Sequence, residues 1–104
     1  MALAEHQKRH LRQLGHHLKP VVMVGQSGLS DSVLAEADGA LNHHELIKMR
    51  LNAADRQERR AMIERIAEQL DCELVHAIGH TALFFRRHPS KPKIILPGPG
   101  KAVR

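Results

Sequence analysis

The sequence predicts an α/β protein, a two-layer sandwich on a mixed four-stranded sheet, with the element order α-β-α-β-α-β-β. Short apolar runs, either β-branched or alternating with polar residues, are separated by longer segments whose apolar residues recur every three to four positions. Helix-capping and turn-forming residues stand between these runs. The 104-residue chain is long enough for one domain with a modest core.

The first half of the chain predicts helix, strand and helix. Residues 3 to 16 form the first helix, with Gly15 as an end signal. One arc of this helix should dock through its apolar residues, Leu3, Ala4, Leu11 and Leu14. The run from Val21 to Val24 predicts a buried strand. The second helix extends from the N-cap Ser30 to about Asn42, and its apolar stripe comprises Val33, Leu34, Ala37, Ala40 and Leu41.

The second half predicts strand, helix and a β-hairpin. Residues 45–52 form a strand with one apolar and one partly basic face. Asp55 caps the third helix, and Glu58 three residues later completes a capping box. The core face of this helix comprises Ile63, Ile66, Ala67 and Leu70. Residues 73–78 and 81–87 form antiparallel strands joined by Gly79-His80, since glycine in the first turn position suits a type II′ turn.

The C-terminal residues predict a short edge strand followed by a tail. Lys93 to Leu96 have the pattern of a short edge strand. We therefore place the domain at residues 1–96. The remaining segment, 97–104, is basic and rich in proline and glycine, and we expect it to be disordered.

The charge distribution indicates a polyanionic partner. The chain has a formal net charge of +5 and contains no acidic residue between His6 and Ser30, or after Glu73. Two basic ends around a mixed centre favour nucleic acid over simple solubility, although solubility alone remains the alternative.

A turn of the GxxG type joins the first strand to the second helix. It reads Gly25-Gln26-Ser27-Gly28 and is followed by Leu29. Glycines let a backbone approach closely, and amides at a helix start attract anions. The turn can therefore hold a phosphodiester, but glycines in such turns also serve turn geometry alone.

Basic side chains around this turn complete the candidate RNA site. On the first helix and just after it, four cations could neutralise phosphates: Lys8, Arg9, Arg12 and Lys19. Lys48 and Arg50 share one face of the second strand, and a solvated sheet face is the equal alternative. Arg86 and Arg87 could extend the footprint or form an ordinary basic tail. The arginines of the third helix alternate with glutamates, which predicts helical ion pairs, so we leave them out of the site.

Other chemistries find little support in the sequence. Nine histidines suggest metal binding, but adjacent pairs point apart and the single cysteine, Cys72, lacks a partner, so we predict neither metal nor cofactor. No nucleophile–base signature or P-loop predicts an enzyme. With no Trp or Tyr and only Phe84 and Phe85, base stacking should be scarce. No segment has the apolar length of a membrane span, and we expect a cytoplasmic monomer.

Three segments together resemble one family. KPVVMVGQSGLSDSVL, HHELIKMRL and IGHTALFFRR are similar, in order and spacing, to the CRM domain (chloroplast RNA splicing and ribosome maturation), and most to its stand-alone bacterial YhbY-like form. The resemblance covers residues 3–96. It implies a fold similar to the C-terminal domain of translation initiation factor three, with an added N-terminal helix. It also implies RNA binding through the GxxG loop. The family's fourth strand often ends in leucine-tyrosine-arginine, where this chain has Phe84-Phe85-Arg86.

The sequence therefore predicts a non-enzymatic protein that grips the backbone of structured rRNA. The resemblance makes the precursor of the large ribosomal subunit the expected partner and subunit assembly the expected role. A protein-interaction module, or a module for small anions or nucleotides, remains the alternative.

Overall fold

The computed structural model describes residues 3–98 of the chain. It contains three helices and four strands in the predicted order. Their bounds are α1 Glu5–Gly15, β1 Pro20–Val24, α2 Asp31–His44, β2 Leu46–Leu51, α3 Arg56–Leu70, β3 Glu73–Ile78 and β4 Thr81–Phe85. No helix in this part of the chain is long and apolar enough to cross a membrane.

The four strands form one mixed sheet in the order β1-β2-β4-β3. β1 and β2 are parallel, because α2 returns the chain to the same end of the sheet. β4 is antiparallel to both of its neighbours, β2 and β3. The predicted α/β class and mixed sheet are confirmed, and β1 and β3 form the two edges.

The main core lies between the sheet and the pair α2 and α3. The sheet contributes residues such as Val24, Met49 and Phe84, which are fully buried. The helices contribute Leu34, Ala37 and Leu41 from α2 and Met62, Ile66 and Leu70 from α3. Alternate residues of each strand face this core, as the period of two requires. Met62 was missing from the predicted core, while the predicted Ile63 packs at its margin and Ala67 is only half-buried.

α1 packs on the opposite face of the sheet and adds a partial third layer. The buried side of α1 is formed by Gln7, Leu11 and Gly15, one turn apart. Gly15 is needed for this approach, because a Cβ atom there would lie 2.5 Å from Leu83 Cδ2. The prediction that Leu14 docks was wrong: its side chain is 43% exposed, because the buried line passes through Gly15 instead.

Two predictions near the C-terminus were also wrong. β4 ends at Phe85 rather than residue 87. Arg86 N–H still donates to Glu45 O (2.9 Å), but Glu45 has a φ of 65°, so the partner chain is no longer extended there. Residues 93–96 form no strand. Ile94 and Leu96 instead pack against the cluster that α1 forms with the sheet.

The segment after β4 folds back over the α1 side of the protein and is held there by Glu45. This carboxylate is buried and accepts backbone N–H groups from His88 (2.7 Å), Lys93 (2.9 Å) and Ile94 (2.8 Å). Further along, Pro97 O accepts Gln7 Nε2–H (2.9 Å), and Gly98 O contacts His6 Nε2. Within the tail predicted to be disordered, these two residues therefore contact α1, and 99–104 lie outside the described residues.

Candidate nucleic-acid interface

The GxxG loop is a tight turn that leads into α2. Gly28 N–H donates to Gly25 O (3.1 Å), which closes the turn, and Gly28 has a φ of 80°. Only glycine adopts that conformation without strain. Ser30 then caps α2 as predicted, because its side-chain oxygen accepts Val33 N–H (3.2 Å).

The fold does not require glycine at position 25. Its φ lies outside the left-handed region, and a Cβ atom there would meet nothing within 4 Å. Gly25, Gln26 and Ser27 are exposed, whereas Leu29 packs against the main core and anchors the loop. The first glycine is thus open to solvent, and the space beside it is free for a ligand.

The start of α2 supplies the chemistry for an anion. The first N–H groups of a helix have no acceptor within the helix, and the helix dipole is positive at this end. The loop itself has no charged side chain. A polyanion held here must therefore be neutralised by neighbouring elements.

Arg12 and Lys48 meet on the α1 side of the sheet. Both line a groove of about 240 Å³ beside the C-terminal end of α1, together with His16, His76 and Thr81. The structure thus brings a predicted helix cation and a predicted strand cation to one place. His76 had been overlooked, since its place beside Lys48 depends on the antiparallel pairing of β4 with both β2 and β3.

The other predicted cations of this region lie on α1 and just before β1. Arg9 is exposed and Lys8 half-buried on α1, while Lys19 is exposed immediately before β1. Lys8 and Arg12 are four residues apart and so lie on the same side of the helix. Arg9 lies two positions from the buried Gln7 and Leu11, so it projects from the side of α1 that faces away from the sheet.

Arg50 lies in a row that crosses all four strands. The register pairs Met23 with Arg50, Arg50 with Thr81 and Thr81 with Ile78. Met23 and Ile78 are 63% and 66% exposed. Beyond α1 the sheet therefore presents a mixed basic and apolar face. The alternation of Val21 to Val24 contained a signal for Met23, because every second residue of an edge strand faces away from the core.

The GxxG loop, the start of α3 and the β3–β4 turn lie together at one end of the sheet, here called the loop end. Asn52 N–H donates to Val24 O (3.1 Å), one residue before Gly25. Leu51 N–H donates to His80 O (2.6 Å) in the hairpin turn. Of the predicted cations, Arg50 lies nearest to this end along β2, because it pairs with Met23, two residues before Gly25.

Arg86 and Arg87 lie at the opposite end of the sheet, because Phe85 pairs with Leu46 and Glu73. That end is about one strand length, ~17–20 Å, from the loop. Arg87 is exposed and stays a predicted contact.

Arg86 has a different role from the one the sequence suggested. Its guanidinium donates to Asp38 Oδ1 (2.8 Å) and Asp38 O (3.0 Å) in α2, to Asn42 Oδ1 (2.9 Å), and to Leu70 O (2.7 Å) at the end of α3. The side chain is only 19% exposed. Its donors join both helices to the sheet, so we remove it from the candidate RNA contacts.

The ion pairs expected along α3 are not formed. Within residues 3–98 the only salt bridge joins Arg86 to Asp38. The carboxylate of Asp55 instead accepts Glu58 N–H (2.8 Å), and Glu58 in turn accepts Ala54 N–H, which confirms the predicted cap. The i,i+4 spacing of arginine and glutamate misled the sequence interpretation, because exposed pairs gain too little energy to be fixed by spacing alone.

The described residues support neither a metal site nor a reactive thiol. Across the described ranges, no three His, Cys, Asp or Glu side chains come together in a way that could hold a metal ion. Burial raises the pKa of the Cys72 thiol to about 11, with Arg86 lowering it and Asp71 raising it. The thiol is therefore protonated at neutral pH and a poor nucleophile.

Comparison with known proteins identifies the family. The profile of the CRS1/YhbY (CRM) domain matches residues 3–86. A probable RNA-binding protein of Pseudomonas aeruginosa is 46% identical over 93 residues, covering 89% of each chain. An RNA-binding protein of Haemophilus influenzae is 46% identical over 96 residues, covering 91% of this chain and 95% of its own.

A solved structure gives the same fold. The solution structure of a hypothetical protein from Staphylococcus aureus superposes with a TM-score of 0.81 at 29% identity, covering 92% of this chain and all of the other. The family profile, which matches residues 3–86, covers the three helices, the four strands and the GxxG loop. The chain therefore belongs to the CRS1/YhbY (CRM) domain family of RNA-binding proteins.

Proposed function

We propose that this protein binds structured rRNA by its phosphate backbone and acts, without catalysis, in the assembly of the large ribosomal subunit. The observation that carries the proposal is Gly25, an exposed glycine that the fold itself does not require. A phosphodiester approaching this residue would meet backbone amides at the start of α2. The cations of α1 and β2 would neutralise the neighbouring phosphates.

The aromatic residues support backbone recognition over base stacking. Phe84 and Phe85 are 0% and 2% exposed, and the chain has no Trp or Tyr. Binding through stacked unpaired bases requires exposed aromatic faces. A folded RNA, which presents its backbone in a fixed shape, suits this surface better.

The large-subunit precursor is the proposed partner because bacterial members of this family are expected to act there. On this account the protein works as a cytoplasmic monomer. A protein-interaction role has one observation in its favour, the exposed Met23 and Ile78 on the sheet face. Salt separates the two, since binding to rRNA weakens steeply with salt whereas apolar docking does not.

Introducing negative charge into the GxxG loop tests the proposal. Gln26→Asp with Ser27→Asp places two negative charges where a phosphate should sit, on exposed side chains that the core does not use. We expect normal folding and lost co-sedimentation with large-subunit precursors. Gln26→Asn with Ser27→Thr is the uncharged control and should co-sediment like the wild type. Normal co-sedimentation of the charged variant would show that the loop is only a turn.

A further inference from the structure

We propose that Arg56 and Arg60 on α3 form a second phosphate contact for the RNA held at the GxxG loop, so that the bound RNA crosses the loop end from α1 to α3. This inference rests on the proposed function and extends its footprint. The sequence predicted ion pairs for these arginines, and none is formed within residues 3–98.

The position of α3 is fixed close to the loop. The segment before α3 is tied to β1 by Asn52 N–H donating to Val24 O (3.1 Å). Arg59 is tied to the hairpin turn, because its guanidinium donates to Gly79 O. The first turn of α3 is therefore held rigidly at the same end of the sheet as Gly25.

Arg56 and Arg60 remain available at this end. They are exposed and four residues apart, so they project from the same side of α3. With Arg59 they line an open groove of about 520 Å³ between α3 and β3. Glu64 is the one acid in the lining, so the groove has an excess of positive charge.

Two of the acids near these arginines are engaged in the helix cap, and the third, Glu64, forms no ion pair within residues 3–98. Asp55 and Glu58 accept backbone N–H groups of the cap, and neither carboxylate pairs with an arginine within residues 3–98. A guanidinium left free in this way is well suited to a phosphate, which it can bind through two parallel hydrogen bonds. An RNA backbone at Gly25 needs further cations along its path. Those of α3 lie at the same end of the sheet, three strand spacings across from β1, or about 14 Å.

The salt dependence of RNA binding tests this contact. We would measure filter binding of deproteinised large-subunit rRNA across ~50–200 mM salt for Arg56→Ala and Arg60→Ala singly. Each variant should flatten the slope of log affinity against log salt by about 0.7–0.9. Arg60→Lys should restore it, because the charge is retained. Arg65→Ala is the matched control, an exposed arginine of the same helix that does not line the groove, and should leave the slope unchanged.

Two outcomes would overturn the inference. Wild-type slopes for Arg56→Ala and Arg60→Ala would show that α3 does not touch the RNA. An equal effect of Arg65→Ala would show that only the net charge matters. The Gln26→Asp, Ser27→Asp variant in the same assay keeps the two proposals apart: if it loses binding while the α3 variants do not, the loop site stands and the α3 contact fails.

Discussion

Gly25→Ala separates the two reasons for which a glycine can stand in this loop. If Gly25 is needed only for the turn, replacing it should lower stability and leave RNA binding unchanged. If it is needed for the approach of a phosphate, replacing it should weaken RNA binding and leave stability unchanged. Apart from its two chain neighbours, the added methyl group would meet no atom of residues 3–98 within 4 Å, so the folded chain can accept it.

The structure sets the expected magnitudes. Gly25 needs no left-handed backbone, so alanine should leave the free energy of unfolding unchanged or raise it by about 0.4–1 kcal/mol, by restricting the unfolded chain. Loss of one amide hydrogen bond to a charged phosphate costs about 1.5–3 kcal/mol. The affinity for rRNA should therefore fall by about 10–100-fold.

Gly28→Ala provides the internal comparison. With a φ of 80° at this position, alanine should lower the free energy of unfolding by about 1–2 kcal/mol. Urea unfolding measures the stability of both variants, and filter binding to large-subunit rRNA measures their affinity. Wild-type affinity for a fully folded Gly25→Ala protein would refute the reasoning, because the loop would then tolerate a side chain where the phosphate should lie.

Three further predictions concern the residues that hold the fold together. Burial would raise the pKa of Glu45, but the N–H donors of His88, Ile94 and Lys93 and the charge of Arg87 outweigh it and hold the pKa below 4.5. Because the folded state binds this proton less tightly than the unfolded state, the stabilisation is present above about pH 4.5 and is lost as pH falls through the folded pKa. Urea unfolding should show Glu45→Gln about 1–3 kcal/mol less stable than the wild type at pH 7, and the gap should narrow in acid; a constant gap would contradict this. Arg86→Ala should cost about 2–3 kcal/mol in the same experiment and leave the salt slope of RNA binding unchanged, whereas a flatter slope would return Arg86 to the RNA contacts. Iodoacetamide at pH 8 should label Cys72 ~100-fold more slowly in the folded protein than in urea, since the raised pKa of about 11 suppresses the thiolate, and equal rates would show that the thiol is not buried.

Local patterns allowed most of the elements to be predicted. The strand before Gly25, the Ser30 and Asp55 caps and the Gly79-His80 turn are each decided within a few residues, and each was confirmed. The prediction that this strand is buried was wrong, because β1 is an edge strand in which Val21 and Met23 are exposed. The GxxG loop was also predicted, because it too is a local pattern. The position of the loop relative to Lys48 and Arg12 depends on the order of strands in the sheet, which the order of elements along the chain only suggested.

Contacts between distant residues could not be predicted. Glu45 binds Ile94 across 49 positions, and this contact takes residues 93–96 out of any strand pairing. Arg86 binds Asp38 across 48 positions, which turned a predicted RNA contact into a structural one. The prediction that Leu14 docks was wrong, because the spacing of apolar residues along a helix cannot show that Gly15 packs against Leu83. In each case the sequence pattern was satisfied by two arrangements, and only tertiary packing chose between them.

The salt dependence of rRNA binding most directly tests the central claim, that the cations of α1 and the first linker act with the GxxG loop to grip an RNA backbone. We would compare the wild type with a variant in which Lys8, Arg9, Arg12 and Lys19 are all replaced by glutamine, which removes the charges and keeps polar side chains. The account predicts a steep slope of log affinity against log salt for the wild type and a slope flatter by about 3 for the variant. Equal slopes would contradict it, because these cations would then make no contact with phosphates.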